Sequence, residues 1–190
     1  MKQATPLTIT NARLVTPRGL VAGAIRLDSG VIAQLGAEAV PDEGEKVLDA
    51  GGKLVSPGLV DLGVFAVDKP AFHFGGITRA ALMPDQSPPL DYPSRVNYIA
   101  KSGKPDLWVH PLAAATRGLE GVELAEIALM KEAGARGVAT GRRWIADSGV
   151  MLRLMQYAAM LDLVVVTHAE DAGLVGEAAA TAGEIATRMG

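Results

Sequence analysis

Only three histidines and no cysteine occur among the 190 residues, so any bound metal would have to rest on His73, His110, His168 and carboxylates. His168 has the most suggestive company. The stretch THAED (167–171) sets Glu170 and Asp171 just behind it. A single histidine does not hold zinc, however, and the same pattern suits a polar residue satisfied by its acidic neighbours. His73, in AFHF, reads as a loop histidine between two packing phenylalanines. His110 precedes Pro111 at a strand end and reads as structural. Asp61 lies in an apolar run, where a carboxylate serves as a strand-end hydrogen-bond acceptor. Arg142-Arg143 forms either a solvated turn or a site for a small anion. Met151, Met155 and Met160 read as core filling. Trp108 and Trp144 are too isolated to form a stacking platform.

The elements that would position these residues fall into two regimes. Residues 1–55 carry short apolar runs, LTITNARLV, AGAIRLD, VIAQLG and EKVLDAGGKLV, broken by turn-forming residues. Ser29-Gly30 between two apolar arms predicts a hairpin. This is a small β-sandwich module. From Ser56 the period changes. LVDLGVF, GGITRAALM, DLWVHPL, ARGVAT and LVVVTHAED are the nearly continuous apolar runs of buried parallel strands. EGVELAEIALMKEAG predicts a helix with Leu124, Ile127 and Ala128 on its inner face and Gly134 as its stop. DSGVMLRLMQYAAMLD predicts another, capped by Asp147 or Ser148, with Leu152, Met155 and Ala159 inward. An Ala-rich helix, with the cluster 178–180, follows the last strand. Alternating strands and helices make residues 56–190 an α/β region with a parallel sheet. GLVAGA and GGKLVSPG are glycine-rich but do not form the fingerprint of a dinucleotide fold.

Four stretches in this order, KVLDAGGKLVSPGLVDLGV, MPDQSPPLD, AAATRGLEGVELAEI and VVVTHAED, resemble the dihydroorotases of the amidohydrolase superfamily. The match runs over nearly the whole chain. The resemblance implies a β-sandwich beside a (β/α)8 TIM barrel, of which residues 56–190 would be the first five βα units. It implies reversible hydrolysis of a cyclic amide in pyrimidine biosynthesis, with zinc polarising the ring carbonyl and generating hydroxide. It also implies that the chain is the N-terminal portion of a longer protein or a fragment of one.

Carried over residue by residue, the resemblance leaves the metal site damaged. The family's first barrel strand reads Asp-x-His-x-His, because alternate residues share a face. Here Asp61 is followed by Gly63 and Phe65 at the histidine positions. The fourth strand's acidic positions hold Thr140 and Gly141, followed by Arg142 and Arg143. Only His168, on the fifth strand, matches a family ligand. The substrate-binding positions differ too. Val67 stands where the family places an arginine, and Asp85 where it places an asparagine against the substrate carboxylate. Loss of a buried charge partner costs about 2–5 kcal/mol. The first crossover is also short, with only AFHF between Pro70 and Gly75.

These substitutions predict a non-catalytic homologue with a structural role and no cofactor. Its partner would be aspartate transcarbamoylase, as the resemblance implies, or further copies of itself. The alternative is an active cyclic amidohydrolase, a dihydroorotase or hydantoinase-like enzyme, that binds zinc in a site rebuilt with residues beyond 190. Phe65 is expected to join Val67, Phe72 and Phe74 in an apolar plug over the barrel mouth. A net charge of −3 and 21% charged residues give no basic field for nucleic acid. MKQATPLTIT lacks the apolar run of a signal peptide, and no stretch has the length of a membrane span. A cytoplasmic location is expected.

Overall fold

A computed structural model of the chain describes residues 5–178 and 181–189, so Ala179 and Ala180 of the alanine cluster lie outside the described residues, as do residues 1–4 of the leader reading. The chain divides into two units, Met1–Gly58 and Leu59–Gly190. The break follows the Ser56-Pro57-Gly58 turn instead of preceding it.

The first unit contains β1 (Leu7–Thr16), β2 (Gly19–Asp28), β3 (Val31–Gly36), β4 (Lys46–Asp49) and β5 (Leu54–Val55). They form one mixed sheet in the order β3-β2-β1-β4, with β5 also pairing with β1. Among the described residues the expected sandwich module is thus a single mixed sheet. The β2–β3 turn has φ of 51° at Ser29 and 82° at Gly30, the two positive values of a type I′ hairpin. A Cβ at Gly23 would lie 2.5 Å from the Gly36 carbonyl carbon, so only glycine fits where these strands approach. Glu45 knits the unit together. Its carboxylate accepts from Thr8 Oγ1 (3.1 Å), from Arg26 Nε (2.9 Å) and from the Asp42 N–H (2.9 Å).

The second unit alternates strand and helix: β6 (Leu59–Val64), α1 (Lys69–Phe74), β7 (Ile77–Leu82), α2 (Pro93–Ser102), β8 (Trp108–Ala114), α3 (Ile127–Glu132), β9 (Gly137–Ala139), α4 (Ser148–Met160), β10 (Val164–Val166), α5 (Ala172–Val175) and α6 (Glu184–Met189). The five strands lie side by side in chain order, every neighbouring pair parallel. This is the first arc of a TIM barrel. Alternation along each strand sends one set of side chains toward the helices and the other toward the barrel interior. Ala80, Leu82, Val109, Ala113 and Val138 join Val96, Ile127, Met130, Val150 and Leu154 in the sheet–helix core. On the other face, Leu112 and Ala139 pack with Met83, Ala81 and Val166.

The short first crossover is met by the single short helix α1, with Asp68 Oδ1 accepting the Ala71 N–H at its start. Two helix expectations are corrected. The stretch before Ile127 is not helical. Gly118 and Gly121 adopt positive φ, Thr116 bridges to Leu124, and Thr116 Oγ1 accepts the Gly121 N–H, so these residues form a compact loop before α3. In α4 the Asp147 cap is where the sequence places it, accepting from the Gly149 and Val150 amides. The buried stripe, however, is Val150, Leu154 and Ala158, and Leu152, Met155 and Ala159 are exposed. Methionines and leucines on both sides of α4 blur its phase, and packing on the sheet decides it. Helix α2 was not expected, although Pro93 in its first turn and Gly103 at its end are standard boundary residues.

The α4 phase gives a direct test by chemical denaturation. Leu154→Ala, at 0% exposure, should cost about 2–5 kcal/mol. Leu152→Ala, at 58% exposure, should stay within about 0.5 kcal/mol of the parent.

Candidate functional site

In parallel α/β barrels, function gathers at the C-terminal ends of the strands. Here those ends are tied to one another by hydrogen bonds from the loops. After β6, the Phe65 carbonyl accepts from Gln86 Nε2 at 3.1 Å, and the same amide nitrogen reaches the Met83 carbonyl at 3.1 Å. After β7, Asp85 Oδ1 accepts the backbone N–H of Arg142 at 2.9 Å. After β9, Thr140 Oγ1 accepts the backbone N–H of His168 at 3.0 Å. Asp91 Oδ2 takes the Gly118 N–H at 3.0 Å, joining the MPDQSPPLD and TRGLEG motifs. Gln86 and Asp91 are the positioning residues that the sequence reading missed. Their signal was present, since both lie inside MPDQSPPLD.

The positions expected to have lost a metal are occupied as follows. At Gly63 a Cβ would meet nothing within 4 Å, and the Gly63 N–H donates to Asp61 Oδ1 at 3.1 Å. Phe65 is 38% exposed, and its ring is covered by the Arg142 guanidinium, whose central carbon lies 3.9 Å from the ring centroid. Thr140 is 3% exposed and its hydroxyl is engaged by His168. Gly141, with φ of +71°, sits so close to Asp85 that a Cβ there would lie 2.8 Å from Oδ1. Asp85 Oδ2 is buried and has no hydrogen-bond partner among the described residues. His168 Nε2 lies 3.0 Å from Glu170 Oε2, as its acidic neighbourhood suggested.

The apolar plug is corrected. Val67 and Phe72 pack against the sheet–helix core, and Phe74 is 98% exposed at the end of α1. Phe65 meets a cation in their place. A phenyl face attracts a guanidinium electrostatically, and Gly141 brings the following arginine within reach.

His73 lies in the last turn of α1 and His110 within β8, away from this cluster in the chain's topology. Burial first, then the positive charges of Arg79, Arg136 and Lys104, hold the His110 imidazole below its usual range. No three His, Asp or Glu side chains among the described residues gather as metal ligands. The residues present therefore do not fit the zinc centre implied by the resemblance. A cation is already fixed over Phe65, and the strand-four position carries a neutral, engaged hydroxyl. No helix among the described residues is long and apolar enough to cross a membrane.

Residues 52–190 match the family described as Dihydro-orotase-like. The chain is 33% identical over 201 aligned positions to a dihydroorotase of Geobacter sp. (strain M21), covering 97% of this chain and 47% of that protein. With a dihydroorotase of Pelotomaculum thermopropionicum it shares 39% identity over 175 positions, covering 85% and 40% respectively. The chain thus spans less than half the length of these curated relatives. Among solved structures, the L-hydantoinase (dihydropyrimidinase) of Arthrobacter aurescens superposes with a TM-score of 0.74 at 26% identity, covering 88% of this chain and 41% of that one. A dihydroorotase crystal structure, at a TM-score of 0.59 and 14% identity, shares the fold.

Two outcomes follow from this geometry. Thr140→Val leaves the His168 N–H without its acceptor and should cost about 1–3 kcal/mol in denaturant unfolding, with Thr140→Ser close to the parent. For His110, the depressed value in the fold means that the unfolded chain binds a proton more readily than the folded one. Stability should therefore fall as pH drops from about 6.5 through the lowered value. In thermal melts between about pH 7.5 and 5, His110→Gln should lose part of the parent's decline in Tm.

Proposed function

This chain belongs to the dihydroorotase-like family, and on that premise we propose that it is a non-catalytic member of it, serving pyrimidine biosynthesis in the cytoplasm as a structural subunit. The observation that carries this reading is the Arg142 guanidinium on the Phe65 ring, at a position where the family pattern calls for a metal-binding histidine. Bringing a divalent cation to the same place would set two like charges together at short range and displace a stacked pair. Val67 adds to the case, because it is committed to the core and cannot anchor a carboxylate. The partner best matched to this role is aspartate transcarbamoylase, with self-association second.

The competing reading is an active cyclic amidohydrolase whose remaining ligands come from further polypeptide. His168 favours it, since it keeps a family ligand position and is half exposed at the mouth beside Glu170.

Metal analysis of protein purified without chelator separates the two. The non-catalytic reading expects zinc far below one ion per chain and no chelator-sensitive hydrolysis of dihydroorotate. About one zinc per chain with such activity would establish the enzyme. Gly63→His combined with Phe65→His should not restore turnover, because Thr140, Val67 and Asp85 remain as they are. Co-purification with the aspartate transcarbamoylase catalytic chain tests the partner.

A further inference from the structure

Arg142 and Arg143 line a cleft of about 370 Å³ together with Trp144, Ala146, His168, Glu170, Asp171, Ala172 and Gly173. Both arginines are exposed, and among the described residues neither guanidinium takes part in an ion pair or a side-chain hydrogen bond. The acidic groups on the cleft wall are otherwise engaged. Glu170 pairs with His168 at 3.0 Å, and Asp171 Oδ1 accepts the Gly173 and Leu174 amides at 2.8 and 3.1 Å. Asp85 turns its Oδ1 to the Arg142 backbone and does not line the cleft.

Arg142 is also held from two sides. Its backbone N–H is fixed by Asp85 at 2.9 Å, and its guanidinium is stacked on Phe65 at 3.9 Å. Stacking engages the face of a guanidinium and leaves the donors at its edge free, in the planar fork that matches a carboxylate. A flexible surface arginine must be ordered by its ligand, whereas this one is ordered beforehand, which lowers the entropic cost of binding.

We propose that this cleft is a metal-independent binding site for a small monocarboxylate, with the fixed Arg142 guanidinium supplying the charge and geometry that a metal would supply elsewhere. Arg143 adds a second positive charge, and Trp144 offers an apolar wall. The remaining wall decides between anions. Glu170 and Asp171 oppose a multiply charged phosphate more than a singly charged carboxylate. The proposal goes beyond the structural role and rests on it only in requiring no metal at the mouth.

The test is calorimetric titration of the full chain, stripped with EDTA, using benzoate, its neutral counterpart benzamide, and inorganic phosphate. Saturable benzoate binding in the presence of chelator is expected, with benzamide and phosphate each weaker by about tenfold or more. Arg142→Gln should lose about tenfold or more in benzoate affinity, and Arg142→Lys, which keeps the charge but not the fork, should lose an intermediate amount. Arg79→Gln, which lies outside the cleft, should bind as the parent does. Thermal melts of each variant establish that it is folded. Absence of saturable binding, equal affinity in folded Arg142→Gln, tighter binding of phosphate, or binding that appears only on adding zinc would overturn the proposal. The zinc content of the unstripped protein, read separately, shows whether the non-catalytic reading has failed as well.

Discussion

Parallel strands deliver their last backbone groups into loops, and those groups need partners that the sheet does not supply. In the second unit the need is met crosswise. Gln86 serves the carbonyls of Phe65 and Met83, Asp85 receives the Arg142 amide, and Thr140 receives the His168 amide. Except for the Gln86–Met83 bond, which braces the β7 loop internally, each bond joins loops that follow different strands. Here neutral and singly charged side chains hold the rim together, and the order of the mouth follows from them.

The electrostatics of the rim follow the same logic. One carboxylate oxygen of Asp85 is engaged, while the other is buried without a partner among the described residues, a costly arrangement unless nearby positive charge offsets it. Arg142 and Arg143 supply positive charge immediately beyond Gly141. The guanidinium of Arg142 lies on the Phe65 ring and is in no ion pair among the described residues. The cleft beside it therefore keeps available donors.

Much of the fold was legible in the residues. The Ser29-Gly30 turn, the Asp147 cap and the five apolar strand runs each rest on local chemistry, and each is where its pattern places it. The departure of Gly63, Phe65 and Thr140 from the family pattern was equally plain. What was not legible depended on contacts distant in sequence. Phe65 was expected among Phe72 and Phe74, its neighbours in the chain, and instead meets Arg142 from a loop three strands away. Apolar residues occur on both sides of α4, so only the sheet beneath it selects Leu154 over Leu152. The expected helical turns before Ile127 yielded to a loop held by the positive φ of Gly121 and by its contacts with Thr116, which could not be read from composition.

The packing of Gly141 against Asp85 has a consequence for how such a chain can change over time. A side chain at 141 would have to tolerate φ of +71° and begin 2.8 Å from a carboxylate oxygen. An acidic residue there would meet that clash and a like charge as well. An acidic side chain at 141 is therefore closed off while Asp85 stands. Asp85→Asn would keep an oxygen for the Arg142 amide and remove the like charge and the unpartnered buried oxygen. The two positions are coupled in order: 85 has to change before 141 can take up a charge.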